Sequence, residues 1–136
     1  MRKILFIVNN GKISSNKNGG ASVYYSHLEL LFQMGYEITI LSVQWGQNDI
    51  YKSSDFAEVK HMVKDIVSYK SYMVFPTKGI SRLYNAIFLP QNFEYFFLNG
   101  YNNKYLRSLV EELKTDLVWS EWRWAGLLAW YSKLKI

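Results

Sequence analysis

Two short apolar runs near the start of the chain, separated by a segment of helical periodicity, constrain the fold more than any other feature. Residues 4–8 and 38–43 are dominated by β-branched and other apolar side chains, which is typical of strands buried in a parallel sheet. Between them, residues 21–34 repeat apolar side chains at helical spacing, and Gly35 supplies a helix stop. The order predicts one βαβ unit with a right-handed crossover.

The apolar residues of the predicted first helix fall on one face, which we expect to pack on the sheet. A histidine lies in the middle of this face. A lone histidine in such a position is more often a hydrogen-bonded core residue than a ligand. The face consists of Val23, His27, Leu30, Leu31 and Met34.

The second half of the chain holds another helix followed by another strand. Asn102 or Asn103 is a typical N-cap residue, and the spacing of apolar residues after it predicts a helix that runs to about residue 114. Residues 116–119 predict a third buried strand. The inner face of the helix is expected to consist of Tyr105, Leu106, Leu109, Val110 and Leu113.

The remaining segments are less regular. After a polar loop at residues 44–56, alternating side chains at 59–67 predict one or two short strands. A turn is predicted at 75–79, short helical pieces at 80–98 and a further helix at 123–133. Taken together, the elements predict an α/β fold, a doubly wound parallel sheet with helices on both faces.

Composition excludes several classes of protein. The chain has no cysteine, which excludes disulfides and thiolate metal sites, and two histidines are too few for a histidine-rich metal cluster. No apolar run approaches the roughly 20 residues that span a bilayer, and residues 4–8 are too short for a signal peptide, so we expect a cytoplasmic protein. The net charge of +5 is scattered, which favours anionic ligands such as phosphates but not nucleic acid.

Two loops follow predicted strands at the edge where parallel sheets bind ligands. In the first, residues 9–22, Gly19 and Gly20 stand directly before a helix. Glycine lets the backbone approach a ligand closely, and the free N–H groups of a helix start favour an anion such as phosphate. The alternative is that the glycine pair only makes a turn, since its spacing matches neither the G-x-G-x-x-G pattern nor a P-loop.

The second loop reads Ser120-Glu121-Trp122-Arg123 and follows the third predicted strand. A carboxylate between Trp119 and Trp122 can act as a base or hold a sugar hydroxyl, and tryptophan faces stack on sugar rings. The alternative is that Glu121 pairs with Arg123 on a solvated surface, where such a pair contributes less than about 1 kcal/mol.

The opening MRKILFIVNN, the glycine pair before a helix, the helix-closing Gly35 and the strand ITILSV resemble the N-terminal domain of a GT-B fold glycosyltransferase, with glycosyltransferase family 4 as the nearest match. The resemblance covers residues 1–43 and 115–131. It implies a Rossmann-like domain over residues 1–136, incomplete at its C-terminus, with the C-terminal donor-binding domain absent from the chain.

The resemblance implies transfer of a sugar from a nucleotide-diphosphate sugar to the hydroxyl of a glycan or lipid-linked acceptor, without a bound cofactor or metal. It also implies a place at the cytoplasmic face of the inner membrane for many members. The aromatic stretch at residues 84–105 is then a candidate acceptor groove or membrane-contact surface.

The resemblance assigns roles at both loops. The family's glycine pair, which contacts donor phosphate or positions the acceptor, corresponds to Gly19 and Gly20. Its loop histidine corresponds to Glu121, a departure, because glutamate is not a cationic donor at neutral pH. Glu121 is the candidate catalytic residue, and the candidate substrate-binding residues are Asn18, Gly19, Gly20, Ser22, Trp122 and Arg123.

Two other classes remain open on the residues alone. One is a non-catalytic Rossmann-like domain that binds a nucleotide, although Val43-Gln44-Trp45 lacks the acidic residue that usually ends the second strand. The other is an interaction module of response-regulator type, although Asn9 and Asn10 stand where that class carries acidic residues.

Overall fold

The computed structural model describes residues 1–9, 12–15, 19–44, 51–70 and 100–121. These residues form four strands, two α-helices and one 3₁₀ helix. The strands are β1 (Lys3–Asn9), β2 (Glu37–Gln44), β3 (Asp65–Lys70) and β4 (Leu117–Ser120). The helices are α1 (Gly20–Gln33), the 3₁₀ helix (Ser53–Met62) and α2 (Gly100–Leu113).

The four strands form one parallel sheet in the order β3-β2-β1-β4. The first strand pairs on both sides, with Ile7 opposite Leu41 of β2 and opposite Ser120 of β4. Because all pairs are parallel, the carboxyl ends of the strands lie at one edge of the sheet. The prediction of a Rossmann-like α/β fold is confirmed.

Alternate residues of β1 serve two separate cores. Leu5 and Ile7 pack with α2, whereas Ile4 and Phe6 pack with α1 and the 3₁₀ helix on the other face. All four side chains are fully buried, as expected for a central parallel strand. Helices therefore cover both faces of the sheet, as predicted.

The helix α1 begins and ends at glycines with left-handed backbone. Gly19 precedes it with φ 75°, and Gly35 follows it with φ 87°. The Tyr36 N–H donates to the Leu31 carbonyl across Gly35, which closes the last turn. The predicted stop at Gly35 is confirmed.

The predicted inner face of α1 is partly wrong: Leu31 is buried as predicted, but three of the other predicted residues are exposed. Val23, Leu30 and Met34 are 47, 52 and 61 % exposed, while Tyr24, Leu28 and Leu31 form the buried stripe. The helix carries apolar residues on two neighbouring stripes, and both satisfy the same 3.6-residue periodicity. Packing against β1 and the 3₁₀ helix selects one of them.

The predicted strand at residues 59–67 is also partly wrong. Residues up to Met62 belong to the 3₁₀ helix, whose buried side chains Phe56, Val59 and Met62 repeat every third residue, as three residues per turn require. The strand β3 starts only at Asp65. The two ends of the predicted polar loop at 44–56 are wrong, since Gln44 belongs to β2 and the 3₁₀ helix starts at Ser53, while residues 45–50 lie outside the described residues.

The second helix and the last strand follow the prediction closely. The inner face of α2 is confirmed, with Leu106 and Leu109 buried and Tyr105, Val110 and Leu113 packed beside them. The helix begins at Gly100, so Asn102 and Asn103 lie inside it rather than at its cap. The elements predicted at 75–79, 80–98 and 123–133 fall outside the described residues.

No helix in the described part of the chain is long and apolar enough to cross a membrane.

Candidate functional site

The loops after β1 and β4 leave the sheet at the same edge and side by side. The Glu121 N–H donates to the Ile7 carbonyl at 2.9 Å, which extends the parallel pairing one residue beyond β4. Glu121 therefore stands next to the end of β1, from which the chain leads into α1. The two predicted site loops therefore start at the same end of two neighbouring strands.

The carboxyl group of Glu121 is buried and hydrogen-bonded. Glu121 is 6 % exposed. Its Oε1 atom pairs with Nδ1 of His27 and accepts a hydrogen bond from Nε1 of Trp119 at 3.0 Å. A solvated surface position, the alternative reading for Glu121, is thus wrong. A nearly buried carboxylate needs such donors, because burial of an unpaired charge is costly.

His27 lies in the second turn of α1, and its side chain is 40 % exposed. An ionised carboxylate only accepts hydrogen bonds, so the hydrogen of a neutral His27 is assigned to Nδ1 and a lone pair to Nε2. The structure gives Nε2 no partner among the described residues. His27 is hydrogen-bonded, as predicted, but it is not a core residue, since its side chain is 40 % exposed.

Trp119 contacts both members of this pair. Besides its hydrogen bond to Glu121, its ring packs edge-on against the His27 imidazole, with ring centroids 5.7 Å apart and planes inclined by 61°. Trp119 and Glu121 are two residues apart in an extended segment, so their side chains point to the same face of the sheet. That face is the one that α1 covers.

The glycine pair shapes the start of α1 beside this site. Gly19 adopts a φ that side chains rarely take, while a Cβ on it would meet no atom within 4 Å. The Ser22 hydroxyl donates to the Gly19 carbonyl at 3.0 Å, so it is engaged within the first turn. Asn18, Trp122 and Arg123, the other predicted binding residues, lie outside the described part of the chain.

Tyr24 connects the helix start with the buried carboxylate. A Cβ on Gly20 would lie 3.3 Å from Cζ and Oη of Tyr24, so the phenol rests against the glycine backbone. The ring is largely buried. Burial, and after it the negative charge of Glu121, raises the pKa of Tyr24.

A second cluster holds the described part of the loop that joins β1 to α1. Glu58 of the 3₁₀ helix accepts from the Ser14 hydroxyl at 2.6 Å and from the N–H and hydroxyl of Ser15 at 3.1 and 2.9 Å. These hydrogen bonds lower the pKa of Glu58. Ile13 is buried, and its N–H donates to the Asp55 carbonyl. The 3₁₀ helix thus fixes the approach to the glycine pair.

Sequence reasoning found Glu121 and the glycine pair but missed their neighbours Trp119 and Tyr24 as site residues, and it did not join His27 to Glu121. These two residues are 94 positions apart, and no spacing rule relates them. The usable signal was a histidine on a helix that follows β1, combined with a carboxylate that follows β4.

In the described residues, no group of three His, Cys, Asp or Glu is placed to hold a metal ion.

The fold and the site together define a Rossmann-like α/β domain with a histidine–glutamate pair at the carboxyl edge of its parallel sheet. Comparison with models of protein families, with curated proteins and with solved structures finds no match to this chain. The function is therefore argued from the site itself.

Proposed function

We propose that this chain is the acceptor-side, N-terminal portion of a glycosyltransferase that moves a sugar from a nucleotide-diphosphate sugar to a hydroxyl group of a glycan or a lipid-linked acceptor. The observation that carries the proposal is the hydrogen-bonded pair of His27 and Glu121 at the carboxyl edge of a parallel sheet. The His27 side chain is 40 % exposed, and its Nε2 has no partner among the described residues. The carboxyl edge is the edge at which such sheets bind their ligands.

In the proposed reaction, His27 is the general base. The acceptor hydroxyl loses its proton to Nε2 while its oxygen forms a bond to the anomeric carbon of the donor sugar, and the bond from that carbon to the diphosphate breaks. Glu121 receives the Nδ1 hydrogen bond and stabilises the imidazolium that forms. The buried Glu121 then acts through His27 rather than on the acceptor directly.

The start of α1 supports binding of the anionic part of a substrate. The first N–H groups of a helix have no partner within the helix, and the helix dipole favours negative charge there. Gly19 and Gly20 leave this end without side chains. A diphosphate that leaves the sugar gains negative charge at the same edge, where fixed N–H donors stabilise it.

A donor-binding domain that closes over this edge completes the proposed enzyme. A lipid-linked acceptor places the domain at the cytoplasmic membrane face, where the net charge of +5 favours an anionic surface.

The proposal is tested by binding and by turnover on the chain as it stands. Acceptor sugars are added to isotope-labelled chain, and the NMR signals of His27 are followed. Nucleotide-diphosphate sugars are then added, and release of nucleoside diphosphate is measured. We expect acceptor-dependent shifts at His27 but no sustained transfer by this chain alone, because the proposal assigns donor binding to a second domain.

Sustained transfer by the chain alone would overturn the division of roles between two domains. Binding of free nucleotides with no response to any sugar would instead favour the alternative of a non-catalytic nucleotide-binding domain. His61, exposed on the 3₁₀ helix, is the internal control, since its signals should not respond to acceptor.

A further inference from the structure

We propose that Trp119 is a positioning residue that sets the tautomer and orientation of His27 through the carboxylate of Glu121. The inference rests on the proposed role of His27 as a base, and it adds a residue that has no direct part in the chemistry. It is carried by two contacts of one side chain: the indole N–H on Oε1 of Glu121, and the indole ring against the imidazole.

The first contact fixes the carboxylate. A glutamate side chain turns easily about its terminal torsion, so one hydrogen bond from His27 does not determine which oxygen faces the ring. Here the same Oε1 atom receives hydrogen bonds from both His27 and Trp119. Because Glu121 is nearly buried, water competes weakly for that oxygen and the two bonds keep it in one place.

The second contact fixes the ring. The imidazole meets the indole in an edge-on arrangement, which is a favoured geometry for aromatic pairs. A half-turn of the imidazole would exchange the positions of its nitrogen and carbon atoms and would lose the hydrogen bond to Glu121. With the carboxylate held and the indole packed against the imidazole, the hydrogen stays on Nδ1 and the lone pair stays on Nε2.

The test removes the indole N–H and keeps an aromatic ring. Trp119→Phe is compared with the unaltered chain by ¹⁵N NMR of the histidine side chains, whose nitrogen shifts report the tautomer. We expect a clear fall in the Nδ1–H fraction of neutral His27. The signals of His61 should stay unchanged. Tyr36→Phe, at a partly buried aromatic of the same core, is the matched control and should leave both histidines as they are.

An unchanged His27 tautomer in folded Trp119→Phe overturns the inference. If that variant does not fold, Glu121→Gln serves instead. The indole N–H signal of Trp119 should exchange slowly with solvent in the unaltered chain and should move in the variant. An indole N–H that exchanges like an exposed one and does not respond to Glu121→Gln also overturns it.

These measurements do not depend on turnover, so they separate this inference from the proposed function. An altered tautomer in a protein that transfers no sugar, even when joined to a donor-binding domain, supports the role of Trp119 and contradicts the proposed function. In an active protein, Trp119→Phe should lower kcat roughly ten- to hundred-fold with the acceptor KM unchanged, because a misplaced catalytic group costs up to about that much.

Discussion

At the scale of single residues, the site depends on one contact between two distant parts of the chain. His27 is placed by α1 and Glu121 by the end of β4, and the parallel pairing of β1 with β4 brings them together. The sequence around Glu121 marks it as a candidate, but nothing in the sequence around either residue relates one to the other. Their proposed chemistry depends on a carboxylate that only accepts hydrogen bonds beside an imidazole at the carboxyl edge of the sheet.

Replacement of His27 should abolish most of the proposed activity and leave the fold intact. His27→Gln removes the proposed base, and general bases contribute roughly 10²- to 10⁴-fold to rate. We expect a fall in kcat of about that size in the enzyme that carries this chain. His61→Gln is the control and should retain full turnover. Equal effects of the two variants would contradict the assignment of His27.

Two replacements of Glu121 should separate its chemical role from its structural one. Glu121→Gln keeps an oxygen acceptor for Trp119, so we expect near-normal unfolding by urea together with a lower kcat. Glu121→Ala leaves two donors without an acceptor and should also reduce the free energy of unfolding by about 1–3 kcal/mol. Unchanged kinetics in Glu121→Gln would reduce Glu121 to a structural residue.

At the scale of elements, the two glycines that flank α1 both adopt a positive φ but lie at opposite ends of the helix. Gly19 and Gly35 both have positive φ, and a Cβ on either would meet nothing within 4 Å. We expect alanine at either position to destabilise the fold by roughly 1–2 kcal/mol, through backbone strain alone. Chemical denaturation measures this effect.

Only Gly19→Ala should in addition weaken the binding of an anionic ligand, since Gly35 lies at the opposite end of the helix. Inorganic pyrophosphate is a suitable probe, followed by titration calorimetry or NMR. Similar loss of pyrophosphate binding in both alanine variants would show that the effect is general destabilisation and not a local change at the site.

The face of α1 that packs on the sheet leads to a second prediction at the scale of elements. Leu28 is fully buried and Leu30 is about half exposed, two positions apart on the same helix. Leu28→Ala should cost roughly 2–5 kcal/mol, as buried leucine truncations do, whereas Leu30→Ala should stay within about 1 kcal/mol. Urea unfolding of the pair measures the difference. The reverse order would show that the exposed stripe is the one that packs.

At the scale of the whole molecule, stability should depend on pH through Glu58. Hydrogen bonds from Ser14 and Ser15 lower its pKa below the ordinary 4.5. A lowered pKa in the folded state means that the contribution is present above the ordinary value and is lost as the pH falls through the lowered one. The free energy of unfolding should therefore fall in acid, and it should fall less over the same pH range in the Glu58→Gln variant.

The measurement is urea unfolding of both proteins at neutral pH and in acid. Glu111→Gln, on the exposed side of α2, is the matched control and should show the same acid loss as the unaltered chain. If Glu58→Gln loses as much unfolding free energy in acid as the unaltered chain, the loss belongs to other carboxyl groups and the prediction is contradicted.

Local periodicity determined most of the fold. The strands β1, β2 and β4 and both α-helices follow from runs of buried residues, helical spacing and one left-handed glycine, because these signals lie within a few residues of each other. The 3₁₀ helix was missed because the buried residues Val59 and Met62 are spaced by three, a period that a short segment shares with other patterns.

The sequence by itself determined that this chain forms a parallel α/β sheet with Glu121 and the glycine pair at its carboxyl edge, since strand order along the chain and polarity of parallel strands require it. Only the tertiary structure decided which stripe of α1 is buried and that His27 and Trp119 both bond to Glu121. Those outcomes depend on rotation of a helix about its own axis and on contacts between side chains up to 94 positions apart, and neither is written in local spacing.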